Sequence, residues 1–161
     1  MPLIKNAAQI DNTWSYIEDD APLATNGCLS ISLARLVEEG DTLLLRNQSF
    51  GVRLQPEDDP AMLVPFLDRL GLIEVSFPKY TDGRGYSQAQ LLRRRYGYTG
   101  ELRAVGHVLT DQIFYMNRSG FDAYETARAN LSSVLTALSE YTEVYQPAAG
   151  DLAPAYRKRH L

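Results

Sequence analysis

Residues 72–77 read Leu-Ile-Glu-Val-Ser-Phe, and on an extended chain this order sends Ile73, Val75 and Phe77 to one side and Leu72, Glu74 and Ser76 to the other. The same alternation recurs on both flanks. Val52 and Leu54 oppose Arg53 and Gln55, and Leu102, Ala104 and Gly106 oppose Arg103 and Val105. Leu29, Ile31 and Leu33 oppose Cys28, Ser30 and Ser32, while Phe121 and Ala123 against Asp122 and Tyr124 give a weaker version. A parallel sheet covered on both faces shows unbroken apolar strands, so alternation predicts one dry face and one polar face.

Between these runs lie segments at helical spacing, which predicts five βα units from about residue 27, with strands at 28–33, 51–55, 72–77, 101–106 and 121–125. Residues 3–10 and 13–18 read as a small hairpin ahead of them. After the second strand Asp59 caps a helix, Pro60 opens it, Leu63, Phe66, Leu67 and Leu70 line it and Gly71 ends it, with Pro65 removing one internal N–H bond. Ser87 and Gln90 form a capping box for the next helix, which Gly97 ends, and Thr110 caps a third that stops at Gly120. Ala127, Leu131, Val134, Leu135 and Leu138 make the core stripe of the last.

Right-handed crossovers between strands taken in chain order place all helices on one side, as in a (β/α) barrel. Five units are fewer than the usual eight. The expected fold is therefore a parallel five-stranded sheet, an incomplete barrel closed by the N-terminal hairpin, the tail or a second subunit in a homo-oligomer. A flavodoxin-like doubly wound sheet is the alternative. Residues 1–161 read as one domain, with 1–26 an N-terminal extension and 142–161 an extended tail.

Composition narrows the chemistry. With 45% hydrophobic and 22% charged residues the chain is ordinary globular protein, and no apolar run approaches the ~20 residues of a membrane span. A single cysteine, Cys28, and no signal-peptide pattern point to a reducing cytoplasm. One Cys and two distant His do not supply a metal cluster, and His107 has no nucleophile motif beside it. A net charge of −4 speaks against a nucleic-acid binder, although Arg157, Lys158, Arg159 and His160 make a short basic tail. Arg93, Arg94 and Arg95 read as a solvated helix face or a docking patch.

Two groups of residues are candidates for a ligand site. The polar sheet face carries Arg53, Glu74 and Arg103 on consecutive strands, which reads either as an internal salt-bridge row or as a pocket with surplus positive charge. The turn Asp82, Gly83, Arg84, Gly85, Tyr86, Ser87 stands at the edge where α/β ligand sites form, with flexible glycines, helix-start N–H groups and a guanidinium suited to an anion. Its bland reading is a capped turn in which Asp82 holds Arg84. The following turn, with His107, Thr110, Asp111 and Gln112, should lie beside it on the same edge.

The run 77–93, FPKYTDGRGYSQAQLLR, with GELRAVG at 100–106 and DQIFYMNRSGFDAYE at 111–125, resembles the bacterial family called domain of unknown function 934, over about residues 51–125. The resemblance implies association with assimilatory sulfate reduction, where members carry the labels probable oxidoreductase or accessory protein of sulfite reductase. On that basis the expected function is a noncatalytic accessory protein that docks sulfite reductase or its electron donor through the charged sheet edge or the basic tail. The alternative is a small-molecule enzyme or binding protein for a sulfur oxyanion or phosphorylated ligand, held by Arg84 and the Ser87 helix start above Arg53 and Arg103. No intrinsic cofactor is expected. An electron carrier would need a bound flavin, for which the sequence shows no motif.

Overall fold

Residues 72–77 do lie in a central strand, and the computed structural model, which describes residues 2–5, 8–24, 26–45, 49–126, 131–139 and 149, surrounds it with seven others. In chain order these are β1 (Leu3–Lys5), β2 (Ala8–Ile10), β3 (Trp14–Tyr16), β4 (Cys28–Ser32), β5 (Phe50–Leu54), β6 (Leu70–Phe77), β7 (Glu101–Gly106) and β8 (Ala123–Glu125). They form one sheet in the order β2-β1-β8-β7-β6-β5-β4-β3. Strands β3 to β8 are parallel neighbours in sequence order, while β1 runs antiparallel between β8 and β2.

The five-stranded parallel sheet predicted above is thus corrected to a mixed sheet of eight. All three additional strands fall in the segments read above as a separate hairpin, and at three residues each they carry no pattern that ties them to the main sheet. The hairpin is residues 3–10 alone, because β3 pairs with β4 at the opposite edge. Strands β2 and β3 run in the same direction with only three residues between them, a span of at most roughly 14 Å. The two edges are therefore drawn together and the sheet curls into a half-barrel. A doubly wound sheet reverses its strand order midway, and no reversal occurs from β3 to β8.

Helix α1 (Leu33–Leu44) starts at the last residue of the predicted strand because Ser32 turns the chain, its Oγ accepting from the Arg35 amide at 3.1 Å. Asp59 does cap the next segment, accepting from the Ala61 amide at 2.9 Å, but Pro60–Arg69 winds as a 3-10 helix around Pro65. Gly71, predicted as a helix stop, lies inside β6, where Trp14 and Ser49 stand 3.1–3.3 Å from the place of a β-carbon and would have to give slightly to admit one. Helix α2 (Arg84–Gln90) continues into a π turn (Leu91–Arg95), α3 (Ile113–Ser119) follows a 3-10 turn (Thr110–Gln112), and α4 (Leu131–Ser139) comes last. Ala127 and the predicted tail with its basic end lie outside the described residues, Ala149 excepted.

Ile31, Val52, Leu54, Ile73, Val75, Phe77, Leu102 and Ala104 from the sheet form one core with Leu36, Leu43, Leu63, Leu92, Ile113, Met116 and Val134 from the helical segments. Each of these side chains other than Ala104 contributes about 1.5–3 kcal/mol on leaving water. One face of the sheet is therefore dry, as the alternation predicts, and the concave face carries the polar groups together with buried Leu72 and Val105. No described helix is long and apolar enough to cross a membrane.

Candidate functional site

Parallel pairing sets Arg53 beside Glu74 and Glu74 beside Arg103, so the predicted row exists on the concave face. Glu74 Oε2 accepts from Ser30 Oγ and from Arg53 Nε, each at 3.0 Å, and its Oε1 stands 3.7 Å from Arg103 Nη1. Arg103, 1% exposed, donates from Nε and Nη2 to Glu101 Oε1 at 2.8 and 2.6 Å and from Nη1 to Asn12 Oδ1 at 2.9 Å. Lys5 Nζ completes the chain on Glu101 Oε2 at 2.7 Å. At the other end the Arg53 guanidinium lies 3.9 Å over the Tyr16 ring.

Cations and carboxylates therefore alternate as Arg53, Glu74, Arg103, Glu101, Lys5, and each carboxylate has its own donors. The row ties β1, β4, β5, β6 and β7 together, with Asn12 and Tyr16 reaching in from the segment that joins the two edges. Of these additions Glu101 was legible, two residues before Arg103 on the same strand face. Lys5, Asn12 and Tyr16 were not, since only the curl of the sheet brings them near.

Burial alone would push the Glu101 carboxyl up, but its bonds to Lys5 and Arg103 outweigh that and hold it below the usual range. A depressed carboxylate adds stability that is complete above its unfolded value and disappears as pH falls through the folded one. Glu101→Gln should thus cost most at neutral pH and converge on the parent in acid. Urea titrations across the acid range check this, and a deficit that does not change with pH would contradict it.

At the turn after β6, Asp82 Oδ1 accepts from the Arg84 amide at 3.1 Å and from Arg84 Nε at 3.0 Å, and Oδ2 accepts from Nη2 at 2.7 Å. These bonds to Arg84 hold the Asp82 carboxyl down to about 2. The helix begins at Arg84, so Ser87 is an exposed residue within it rather than its cap, and the Ser87–Gln90 capping box does not form. Asp82 takes that role because its carboxylate reaches the first free amide. Gly85 is buried against Phe77. An anion arriving here would compete with a carboxylate already in place.

The turn after β7 does lie beside it: Gln112 Nε2 donates to the Tyr80 carbonyl at 2.8 Å. At the end of β7, Gly106 takes φ +94°, the His107 amide donates to the Phe77 carbonyl at 2.7 Å, and the Val108 amide closes back on Gly106 O at 2.9 Å. Thr126 Oγ1 then fixes Val108 O at 3.1 Å. This tight turn opens a cavity of about 580 Å³ lined by Tyr80, Gly106, His107, Val108, Leu109, Thr110, Asp111 and Thr126. It stands at the C-terminal edge of the parallel strands, where α/β folds hold ligands. Of the predicted turn residues, His107, Thr110 and Asp111 are on its wall. Thr110 opens the 3-10 turn instead of capping a helix. Tyr86 nearby is held un-ionised first by burial and then by the Asp111 charge.

A side chain at position 106 would stand 2.7 Å from the Phe77 carbonyl oxygen, in a backbone region that L residues rarely adopt. Gly106→Ala is expected to lower stability by about 2–3 kcal/mol, read from the urea midpoint. An unchanged midpoint would show the turn to be adaptable.

The predicted arginine face is also redistributed. The π turn at Leu91–Arg95 rotates Arg93 inward, where it bonds Gly120 O, Tyr98 O, Gly100 O and Asp122 Oδ2 at 2.7–3.0 Å, and leaves Arg94 and Arg95 exposed. Among the described residues no three His, Cys, Asp or Glu gather as a metal site.

Residues 51–156, well over half of the chain, match the family model described as bacterial protein of unknown function (DUF934). No curated protein matches the chain.

Proposed function

We propose, from the premise that this chain belongs to the DUF934 family of bacterial proteins of unknown function, that it serves sulfite reduction as a noncatalytic accessory protein which docks the reductase or its electron donor. The observation that supports docking is the charge of the C-terminal sheet edge. The turns after β3, β5, β6 and β7 carry Glu18, Asp19, Asp20, Glu57, Asp58, Asp59, Asp82 and Asp111 against Lys79 and Arg84. A field of one sign across one edge accelerates encounter with a basic surface and fades as salt rises. The guanidinium groups of the concave row are meanwhile engaged with carboxylates of the same chain, an arrangement suited to holding shape.

Two experiments test the proposal. A deletion strain should grow on cysteine and fail on sulfate or sulfite; full growth on sulfate would overturn the assignment to this pathway. In pull-downs at low salt the reductase or its donor should be retained and released as salt is raised. Asp20→Lys with Glu57→Lys, both exposed positions, should slow association at least about tenfold, and retention indifferent to both changes would overturn the docking edge.

A further inference from the structure

We propose that the cavity after β6 and β7 is a binding site for a flat nitrogen heterocycle that carries an exocyclic amine. This goes beyond docking, and it stands on the cavity alone. Its walls are held by hydrogen bonds between different turns: Gln112 to the Tyr80 carbonyl, His107 N–H to Phe77, and Thr126 to Val108. A site braced in this way is formed before its ligand arrives, which reduces the ordering cost of binding.

The lining sets the ligand's shape. Tyr80, 51% exposed, and His107, also exposed, both line the cavity with ring centroids 6.3 Å apart at 49°, and apolar Val108 and Leu109 share its wall. Two exposed rings at a cavity mouth offer faces on which a planar ring stacks irrespective of its exact identity.

The lining also sets the ligand's polarity. Asp111 is its carboxylate, Thr110 and Thr126 its hydroxyls, and no Lys or Arg is among the described lining residues. An ionised carboxylate accepts hydrogen bonds and donates none, so it selects a donor and disfavours a free anion. An amine on a ring supplies both the donor and the plane. A sulfur oxyanion or phosphate supplies neither.

Adenosine and inosine form a matched pair of probes, since inosine has a ring carbonyl where adenosine has the amine. Titrated into the full chain and followed by backbone amide NMR, adenosine should shift residues 80 and 106–111 and bind at least about fivefold more tightly than inosine. Asp111→Asn, at an exposed position, should leave the spectrum folded and remove that preference, whereas Tyr80→Ala should weaken both nucleosides. Equal binding of the two nucleosides, shifts at other residues, no shift at all, or sulfate moving these amides where adenosine does not would each overturn the proposal. The deletion strain and the pull-down are independent of all these outcomes.

Discussion

Arg103→Ala should lower the stability of the protein by about 3–5 kcal/mol, the range for removing one partner from a buried ionic network. Arg103 is 1% exposed and, among the described residues, is the one side chain that touches both Glu74 and Glu101 while also reaching Asn12. Its loss leaves Glu101 with Lys5 alone and Glu74 with Arg53 and Ser30. Two carboxylates on adjacent strands then face a cavity where a guanidinium stood. Arg53→Ala is the control: at 25% exposure, with its ion pair to Glu74, it should cost nearer about 1 kcal/mol. Arg103→Met combined with Glu101→Gln should recover much of the loss, because a buried pair replaced by neutral groups of similar volume is tolerated far better than a pair cut in half. Urea unfolding at neutral pH measures all three variants. A cost below about 1 kcal/mol for Arg103→Ala would mean that water replaces the guanidinium at no great penalty, and the concave face would then be more open than its burial indicates.

How much of this was legible beforehand follows from the range of the signals. Alternation along 51–55, 72–77 and 101–106 is local, and it correctly placed Arg53, Glu74 and Arg103 side by side, since parallel strands in sequence order leave little freedom of register. Closure of the sheet is not local. Trp14 finds Cys28, and Leu3 finds Glu125, through contacts that three-residue strands do not announce. That is why Asn12, Lys5 and Tyr16 were missing from the row. The edge turns show the same division: the sequence pattern indicates that the turns after β6 and β7 adjoin, whereas the cavity between them depends on the backbone closure at Gly106 and on Gln112 reaching Tyr80. At Asp82 and Ser87 two residues competed for one cap, and the carboxylate nearer the first free amide prevailed.

Arg93 is the position where the sequence pattern misleads most, and its replacement is the second large effect. A run of three arginines reads as a solvated face, yet consecutive helical residues lie about 100° apart, and Arg93, four residues after the buried Ala89, turns inward within the π turn. There it meets three backbone carbonyls, from Tyr98, Gly100 and Gly120, and the Asp122 carboxylate, whose other oxygen accepts from the Leu102 amide at 3.0 Å. One side chain thus fastens the loop before β7 to the loop before β8. Arg93→Ala should cost about 3–4 kcal/mol, since it strands several half-buried acceptors at once. Arg93→Lys should recover little of it, because an ammonium lacks the planar fork that reaches separated acceptors together. Burial already pushes the Asp122 carboxyl above its ordinary value while Arg93 pulls against it. Without that opposition the carboxyl rises further. A group whose folded value is raised favours the folded state below its unfolded value and loses that contribution as pH climbs through the folded one. The Arg93 variants should therefore lose more stability than the parent between acid and neutral pH, and the Asp122→Asn background should erase that extra slope. Amide exchange at Leu102 and Asp122 in the same variants separates local opening of the β7–β8 pair from global unfolding, with the local route expected to dominate.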